Sequence, residues 1–273
     1  MNNESLVSVN ITTFNRSNIL ARCLESVLNQ DYQNMEVIIV DDCSTDNTFE
    51  VVRSFKQKDK RIKYFRHKKN KGNAYSRNTA FEKCNGIYVA FMDDDDEWIE
   101  NNKLKKQVEI FEKSKEPKLG LVCSGILRLK RNGQKIVEKA LYPKDLNYAA
   151  LKGGLIHNST VLTKRKIIQE VGGFDIDVCR GIDSEFFRRV ILIYNYNVFF
   201  MKDITTCYYE NSNNRLTEPK DYIDYLKQVK SHYINIKKFF KFFKKNPSLF
   251  LVRIILIIQL LLKSLKSFIL NEK

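Results

Sequence analysis

The sequence lacks the patterns of a secreted, disulfide-bonded or zinc-binding protein. Its six cysteines, at positions 23, 43, 84, 123, 179 and 207, include no CxxC pair, and no histidine lies near them at ligand spacing. Scattered cysteines favour a reducing compartment and argue against both a zinc site and a disulfide framework. The amino-terminal residues MNNESLVSVN lack a basic segment followed by an apolar one, so we expect no secretory signal.

Negative charge is also in short supply. The 273 residues include 47 Lys and Arg but only 32 Asp and Glu, which gives a formal net charge of +15. This excess predicts an anionic partner, and nucleic acid, acidic lipid and phosphorylated small molecules all qualify. The hydrophobic fraction of 43% is large enough for a substantial core, so wholesale disorder is not expected.

The first 115 residues alternate between strand and helix patterns. The predicted strands are short apolar runs at residues 6–11, 35–40, 61–65 and 87–92, and the segments between them show helical spacing. This alternation predicts an α/β fold with a mainly parallel sheet flanked by helices, which binds ligands beyond the carboxyl ends of its strands. No GxGxxG follows the first strand, so a nicotinamide-dependent oxidoreductase is not favoured.

The second half is less regular. A hairpin is predicted over residues 119–137, with its turn at Asn132-Gly133. The remaining patterns predict a strand at 157–163, a short helix ending at Gly172-Gly173, a helix through 184–193 and strands at 197–201 and 205–209. This half is therefore expected to add short elements to the α/β domain.

Polar residues follow three of the predicted strands. Thr12-Thr13 follow the first, Asp41-Asp42 the second, and the four carboxylates Asp93 to Asp96 the fourth. Because these strand ends lie at one edge of a parallel sheet, we expect the three groups to converge there. Adjacent carboxylates repel one another, and a bound Mg²⁺ or Mn²⁺ would neutralise them. The spacing of an EF-hand is absent.

The chain changes character from about residue 220. Lysines alternate with aromatic residues, Pro247 interrupts the pattern, and a strongly apolar segment follows. Its uncharged run, 254–262, is too short to span a bilayer. Its polar residues share one side of a helix: Arg253, Gln259, Lys263, Ser264, Lys266 and Ser267. Two interpretations of the tail 220–273 remain open. It is an amphipathic helical tail on an anionic membrane surface, or it packs on the domain or on a second subunit.

Four segments of the first half resemble the family 2 glycosyltransferases. They are VSVNITTFNR, LNQDYQNMEVIIVDDCSTDNT, RNTA and GIYVAFMDDDDEW, and their order and spacing match over residues 5–115. VGGFD (171–175) and GIDSEFFRRV (181–190) are similar to downstream segments of the family. The family has the Rossmann-like GT-A fold of nucleotide-diphospho-sugar transferases. The resemblance implies a domain over 1–219, with a nucleotide-sugar-binding half (1–115) and an acceptor-binding half (116–219).

The resemblance also implies roles for individual residues. The nucleotide-sugar donor would contact Thr12, Asn15, Asp41, Asp42, Arg77, Asp93 and Asp94. Asp93 to Asp95 match the DxD motif, in which Asp95 is expected to ligate Mn²⁺ or Mg²⁺, with Asp93 and Asp96 as further candidate ligands. Asp183 matches the catalytic base, and Glu185 is the alternative if Asp183 does not act.

These roles imply a metal-dependent, inverting glycosyltransferase. The QxxRW signature of processive synthases is missing, so transfer of a single sugar is expected. The donor is expected to be a UDP-sugar, and the acceptor a cell-envelope or lipid-linked glycan at the cytoplasmic face of the membrane. One alternative is a basic nucleic-acid-binding protein, in which clustered aspartates would repel phosphate unless metal were bound. The other is a catalytically inactive GT-A-like binding protein, against which the intact aspartates argue.

Three further positions are conspicuous in the sequence. His157 precedes a predicted strand, where it either contacts an acceptor or phosphate or makes a structural hydrogen bond. Trp98 is expected to pack at the start of a helix rather than to stack on a sugar. The pair Arg188-Arg189 is expected to include one structural salt bridge.

Overall fold

A computed structural model of the chain describes residues 4–210, 219 and 221–271. The expected boundary between domain and tail, at 219 and 220, adjoins residues outside these ranges, as do the last two residues of the tail. The first half contains β1 (Val7–Thr13), α1 (Ser17–Leu28), β2 (Met35–Asp41), α2 (Thr48–Lys58), β3 (Ile62–Arg66), α3 (Asn73–Glu82) and β4 (Tyr88–Asp93). The predicted alternation of strands and helices in this half is confirmed.

The second half begins with β5 (Glu97–Trp98), α4 (Lys103–Lys113), β6 (Leu119–Leu129), β7 (Lys135–Glu138) and α5 (Leu146–Lys152). A 3₁₀ turn (Asn158–Thr160) precedes β8 (Leu162–Lys164), α6 (Arg165–Val171) and α7 (Ile182–Arg188), which continues as a π-helical turn (Arg189–Ile193). The chain then forms β9 (Asn197–Tyr209), α8 (Tyr222–Lys238), α9 (Phe240–Lys245) and α10 (Pro247–Asn271).

The strands form one sheet in the order β3-β2-β1-β4-β8-β6-β9-β5, with β7 paired to β6. The first four strands in this order are parallel. Beyond β4 the sheet is mixed, because β8 is antiparallel to both of its neighbours whereas β9 is parallel to β6. The parallel arrangement expected from the sequence therefore describes the first half, and the second half adds antiparallel pairs.

Both faces of the sheet are covered, which explains why β2 is apolar at four consecutive positions, 37–40. Val37 and Ile39 belong to one hydrophobic cluster, with residues of α1, α2 and α4. Ile38 and Val40 point to the opposite cluster, with residues of α3, α5, α6 and α7. Successive side chains of the strand therefore enter two different cores.

Two sequence predictions about strands were wrong in detail. Residues 197–201 and 205–209 form the single strand β9, and its register against β6 shifts between Cys123 and Gly125. The polar pair Lys202-Asp203 lies at this shift, which is why the apolar pattern was interrupted there. Residues 158–160 are a 3₁₀ turn rather than strand.

The helices after residue 221 pack partly on the domain. Phe239 and Phe243 are buried in the same core cluster as α7. Helix α10 lies antiparallel to α8, since the Ser264 hydroxyl donates to the Tyr222 carbonyl oxygen and Arg253 reaches His232. Its other face is exposed, with large apolar side chains at Leu251, Val252, Ile255, Ile258, Leu261, Leu262, Leu265, Phe268 and Ile269. The tail therefore has one packed face and one free apolar face.

Helix α10 is longer than the uncharged run within it. Within the described ranges, it is the one helix whose length and composition suffice to cross a membrane, over Pro247–Ile269, with a mean hydropathy of 2.1 in an 18-residue window. The expectation that this segment is too short to span a bilayer was based only on the uncharged run 254–262. That expectation is corrected by the observed helix, which extends beyond Arg253 and Lys263.

Candidate active site

The ends of the parallel strands bring the predicted polar groups together. In the register of the sheet, Thr13 lies beside Asp41, and Thr12 lies beside Asp93. The convergence expected from the sequence therefore exists, and it places the acidic run at the carboxyl edge of the sheet.

The four consecutive aspartates point in different directions. Asp93 ends β4 and Asp95 lies in the following turn, and their side chains are 31% and 22% exposed. Asp94 is buried and accepts from the Arg16 guanidinium at 2.6 Å, while Asp96 is buried and accepts from the Ser159 hydroxyl. Only Asp93 and Asp95 are therefore partly exposed to solvent at the carboxyl edge.

Burial and mutual repulsion raise the pKa values of three of the four aspartates. Burial raises the pKa of Asp94 to about 6, against the opposing effect of Arg16. Burial raises the pKa of Asp95 as well, again opposed by Arg16, and the charge of Asp93 adds to the rise. Burial and the neighbouring acids hold the pKa of Asp96 well above its ordinary value. Asp96 is buried and bonded to Ser159, whereas Asp93 and Asp95 are partly exposed, so the geometry favours Asp93 and Asp95 over Asp96 for a cation.

The carboxylates at this edge suit a cation that is bound mainly by the phosphates of its substrate. Within residues 4–210, 219 and 221–271, no group of three or more His, Cys, Asp or Glu side chains could hold a metal ion. Mg²⁺ commonly binds through one or two carboxylates together with substrate phosphates and water. Asp93 and Asp95 fit that arrangement, and a caged site of three aspartates is not present.

Arg77 of α3 connects the acidic run to the second half of the chain. Its guanidinium donates to Asp93 at 2.7 Å through Nη2 and to Asp183 through Nη1, and its side chain is 8% exposed. Asn158, in the 3₁₀ turn, also donates to Asp93, at 2.8 Å. Arg77 Nε also donates to Asn73. Residues of α3, β4, the 3₁₀ turn and α7, which are far apart in the sequence, therefore meet at the carboxylates of Asp93 and Asp183.

Asp183 lies in the first turn of α7 and faces this junction. Its side chain is 31% exposed. Burial raises its pKa to about 6, the Arg77 cation opposes the rise, and the Asp93 charge adds to it. A carboxylate with a raised pKa is a better proton acceptor, while Arg77 keeps it oriented and favours its ionised form.

Glu185 has a different environment from Asp183. It is fully buried, accepts two bonds from Arg189 at 2.7 and 2.8 Å, and accepts a third from Lys238 at 2.8 Å. The salt bridge expected within Arg188-Arg189 is therefore the one between Arg189 and Glu185. Because both Glu185 oxygens are occupied by cations in the core, the geometry argues against Glu185 as the alternative base.

The residues expected to contact the nucleotide shape the loops around the edge. Asp42 accepts from the backbone amides of Lys71 and Gly72 at 2.9 and 2.8 Å, and from His67 at 2.8 Å. Asn15, with a φ of 53°, accepts from the Thr45 backbone amide at 2.7 Å. These bonds fix two loops that border the carboxyl edge.

Thr12 and Asp41 belong to the same edge but bond to protein groups. The Thr12 hydroxyl donates to Asn73 at 3.0 Å. Asp41 is fully buried and accepts from the Ser44 amide at 2.7 Å and from the Tyr64 hydroxyl at 2.6 Å. Asp41 therefore stabilises the carboxyl edge through these hydrogen bonds and does not face the open site.

Several residues of the junction were not singled out from the sequence. Arg16 lies in the quoted segment TTFNR, but nothing in its local pattern indicated the pairing with Asp94. Asn158 and Ser159 lay inside a predicted strand, and only the observed turn directs both toward the acidic run. Long-range pairings of this kind have no local sequence signal.

Trp98 and His157 adopt structural positions. Trp98 is buried, and its indole donates to the Ser159 carbonyl oxygen at 2.7 Å, so the packing role expected for it is confirmed. His157 lies 3.4 Å from Glu138, which makes an ion pair with Arg128. Of the two expectations for His157, the structural hydrogen bond is therefore the one with an observed partner, Glu138.

The chain is matched by a known family over most of its length. The model of Glycosyl transferase family 2 matches residues 8–188. The chain belongs to glycosyltransferase family 2. The chain is 35% identical over 164 residues to the putative teichuronic acid biosynthesis glycosyltransferase TuaG of Bacillus subtilis, covering 60% of this chain and 64% of that protein. This membership agrees with the resemblance of the quoted motifs.

Another relative has a more specific name. The chain is 39% identical over 110 residues to the UDP-Glc:alpha-D-GlcNAc-diphosphoundecaprenol beta-1,3-glucosyltransferase WfaP of Escherichia coli. That match covers 40% of this chain and 43% of the relative. The chain thus spans less than two thirds of the length of both relatives.

Solved structures confirm the fold. A mannosyltransferase from Pyrobaculum calidifontis in complex with GDP-Man and Mn²⁺ is similar with a TM-score of 0.65 at 18% identity, over 97% of this chain and 75% of that one. Residues 1–349 of Staphylococcus aureus TarS in complex with UDP-GlcNAc are similar with a TM-score of 0.64 at 19% identity, over 84% of this chain and 66% of that one. The expected GT-A fold is therefore present.

Proposed function

We propose that the chain is a metal-dependent, inverting glycosyltransferase that moves one sugar from a UDP-sugar to a cell-envelope or lipid-linked glycan. The observation that carries this proposal is the junction at Arg77, where the exposed aspartate of β4 and the acid of α7 meet at one edge of the sheet. A displacement at a sugar needs a site for the leaving diphosphate and a proton acceptor close to it. We assign these two positions to Asp93 and Asp183, which Arg77 holds together.

The donor diphosphate is assigned to the edge formed by Asp93 and Asp95. A bound Mn²⁺ or Mg²⁺ would supply charge stabilisation for the departing diphosphate. Asp93 and Asp95 would hold the ion, and Arg16 would keep the turn in place through Asp94 and Asp95. WfaP is named for a UDP-glucose donor and TarS was solved with UDP-GlcNAc, whereas the Pyrobaculum enzyme was solved with GDP-Man and Mn²⁺. Two of these three relatives support UDP, and the third supports a divalent cation.

The acceptor is assigned to the side of Asp183. Its carboxylate removes the proton of the acceptor hydroxyl while that oxygen attacks the anomeric carbon from the face opposite the diphosphate. One displacement inverts the anomeric configuration and needs no nucleophile from the protein. Arg77 keeps Asp183 oriented through Nη1 and shares its positive charge with Asp93 through Nη2.

The tail is assigned to the cytoplasmic face of an anionic membrane. Although α10 is long enough to cross a bilayer, α8 lies along it from Arg253 to Ser264, and α8 carries charged residues. Crossing would draw those charges into hydrocarbon, which is costly. An in-plane position leaves α8 on the wet side and the free apolar face in the lipid, with lysines nearby to bind acidic headgroups.

The central test is a panel of nucleotide sugars assayed for binding and transfer with Mn²⁺, Mg²⁺ or EDTA. Asp183→Asn should lower transfer by about 10²- to 10⁴-fold while donor binding is retained, because only the proton acceptor is lost. Asp95→Ala should weaken binding of the donor only when metal is present. Asp177→Asn is the matched control, since Asp177 is a surface acid paired with Lys230.

The outcomes separate the alternatives. Failure to bind any nucleotide sugar in the presence of metal would overturn the proposal. Binding without turnover in every acceptor assay would favour the inactive binding protein. Full activity of Asp183→Asn would place the base elsewhere.

A further inference from the structure

The amide side chain of Asn158 borders the junction at which Arg77 holds Asp93 and Asp183. Asn158 Nδ2 donates to Asp93 Oδ1 at 2.8 Å, and the same oxygen accepts from Arg77 Nη2 at 2.7 Å. Because a carboxylate oxygen has to be met by a donor, the nitrogen of this amide faces Asp93. The amide oxygen, Oδ1, therefore lies on the other side of the group and is available to a different partner.

This amide oxygen is buried without a hydrogen bond. Asn158 is 7% exposed, and among the residues that the structure describes, no group donates to its Oδ1. A buried carbonyl oxygen without a donor destabilises a folded protein, and native structures leave few of them. An ordered water or a hydroxyl group of a ligand would satisfy this atom.

The backbone of the 3₁₀ turn fixes the position of the amide. The Thr160 backbone amide and hydroxyl both donate to the His157 carbonyl oxygen, at 3.1 and 2.7 Å. The Ser159 hydroxyl accepts from the backbone amide of Asp93 at 3.0 Å. The turn is thus closed on itself and bonded to the end of β4. Asn158 is therefore held beside the site, as a contact that determines specificity has to be.

Asn158 lies close to the surface of the carboxyl edge, although its own side chain is buried. The side chain of Asp93, to which it donates, is 31% exposed, and that of His157, which precedes it, is 36% exposed. A ligand bound at this edge has to bring only one hydroxyl group to the amide. The unsatisfied oxygen is therefore within reach of the ligand that the edge binds.

The proposed reaction places the donor sugar beside this amide. The diphosphate is assigned to Asp93 and Asp95 and the proton acceptor to Asp183, and attack comes from the face opposite the diphosphate. The sugar ring therefore has to lie between these two groups. Asp93 and Asp183 accept from the two ends of one guanidinium, so the space between them is short. A ring in that space lies against Arg77 and Asn158.

We propose that Asn158 Oδ1 accepts a hydrogen bond from a ring hydroxyl of the donor sugar, which makes Asn158 a specificity-determining residue. This inference rests on the proposed function, because it names a contact to the sugar of that donor. An amide oxygen accepts hydrogen bonds and cannot donate them. A sugar that lacks the hydroxyl leaves this oxygen unpaired, so the site binds such a sugar less tightly.

A purely structural role of Asn158 makes a different prediction. The bond from Nδ2 helps to hold Asp93, which is assigned to the ion and the diphosphate. If this is the only role, loss of the side chain weakens the binding of UDP and of UDP-sugars by the same factor. Each sugar hydroxyl then contributes equally in the wild type and in the variant. An ordered water at Oδ1 predicts the same equality.

The first measurement compares UDP with UDP-sugars by calorimetric titration in the presence of Mn²⁺. UDP-glucose, UDP-GlcNAc and UDP-galactose are the probes, since WfaP is named for the first and TarS was solved with the second. Asn158→Ala should weaken the binding of the tightest of these sugars about tenfold more than that of UDP. Asn158→Ser, which also removes both amide atoms, replaces Asn158→Ala if that variant fails to fold.

Asn197→Ala is the matched control for this titration. Asn197 is an exposed asparagine at the amino end of β9. Because β9 is parallel to β6, and β8 is antiparallel to both β6 and β4, this end lies at the edge of the sheet opposite the site. The control should bind UDP and the UDP-sugars as the wild type does.

The decisive measurement is a cycle that removes the sugar hydroxyl and the amide separately and together. Each monodeoxy analogue of the tightest UDP-sugar is titrated into the wild type and into Asn158→Ala. At one ring position, loss of the hydroxyl should weaken binding to the wild type about tenfold and binding to the variant by less than about twofold.

The outcomes separate this inference from the proposed function. Equal hydroxyl effects in the wild type and the variant at every ring position would overturn the inference, because they fit a structural role or a bound water. Equal losses of UDP and UDP-sugar binding in Asn158→Ala would overturn it as well. A wild type that binds no nucleotide sugar in the presence of metal would overturn the proposed function itself, and this inference with it.

Discussion

Lys103 gives the most quantitative prediction for this fold, because it is a lysine without any exposed surface. It lies at the start of α4, donates to Gln107 at 2.8 Å and lies 4.1 Å from the centre of the Trp98 ring. Burial lowers its pKa from the ordinary 10.5 to about 7. Folding therefore disfavours the charged lysine by about 5 kcal/mol at pH values below 7.

The sign of the pH dependence follows from this shift. Between pH 7 and 10.5 the unfolded chain holds a proton on Lys103 that the folded chain has released, so stability rises with pH in this range. From pH 6 to pH 9 this single group should raise the free energy of unfolding by about 3 kcal/mol.

Lys103→Met removes the titrating group and keeps the length of the side chain. At pH 6 the variant should be about 2 kcal/mol more stable than the wild type. Removal of the buried charge stabilises the fold by more than the loss of the Gln107 hydrogen bond and of the Trp98 contact destabilises it. Its stability should also lack the rise of about 3 kcal/mol between pH 6 and pH 9. Urea unfolding at several pH values measures both effects.

The control for this experiment is Lys105→Met, since Lys105 is an exposed lysine of the same helix. It should change stability by less than about 0.5 kcal/mol and should follow the wild-type pH profile. Parallel pH profiles for the wild type and Lys103→Met would refute the reasoning, because they would show that Lys103 stays charged in the folded protein.

Two further predictions concern Glu185 and the tail. Glu185→Gln should lower the free energy of unfolding by about 3 kcal/mol, because Arg189 and Lys238 lose their counter-charge, while kcat of the folded protein is retained. A loss of kcat at unchanged stability would instead make Glu185 the base. Leu262→Glu combined with Leu265→Glu should reduce sedimentation with anionic vesicles at least tenfold, because both leucines lie on the free apolar face. The control pair Val137→Glu and Leu141→Glu, on exposed apolar residues elsewhere, should sediment like the wild type.

The fold of the first half was predictable because its signals are local. The run VIIV (37–40) is apolar at every position, and only a strand covered on both faces buries all four side chains. The second half was harder, because its strands pair across long separations and in both directions. The register shift opposite Lys202-Asp203 divided β9 into two apparent strands.

The candidate site shows the same division. The carboxyl edge could be predicted from the strand ends, since Asp93 and Asp41 follow apolar runs. The distinct environments of the four aspartates could not, because they depend on Arg16 and Ser159, which are 78 and 63 residues from their partners Asp94 and Asp96. A run of identical residues carries no information about which members face the solvent.

Arg77 shows why the site depends on the whole fold. A residue of α3 holds an acid of β4 and an acid of α7 with the two ends of one guanidinium. Lysine has a single ammonium group and cannot reproduce this planar fork. The separation of Asp93 and Asp183, to which we assign the donor side and the proton acceptor, is therefore set by the planar guanidinium that binds both, so the geometry of the proposed site depends on where α3 places Arg77.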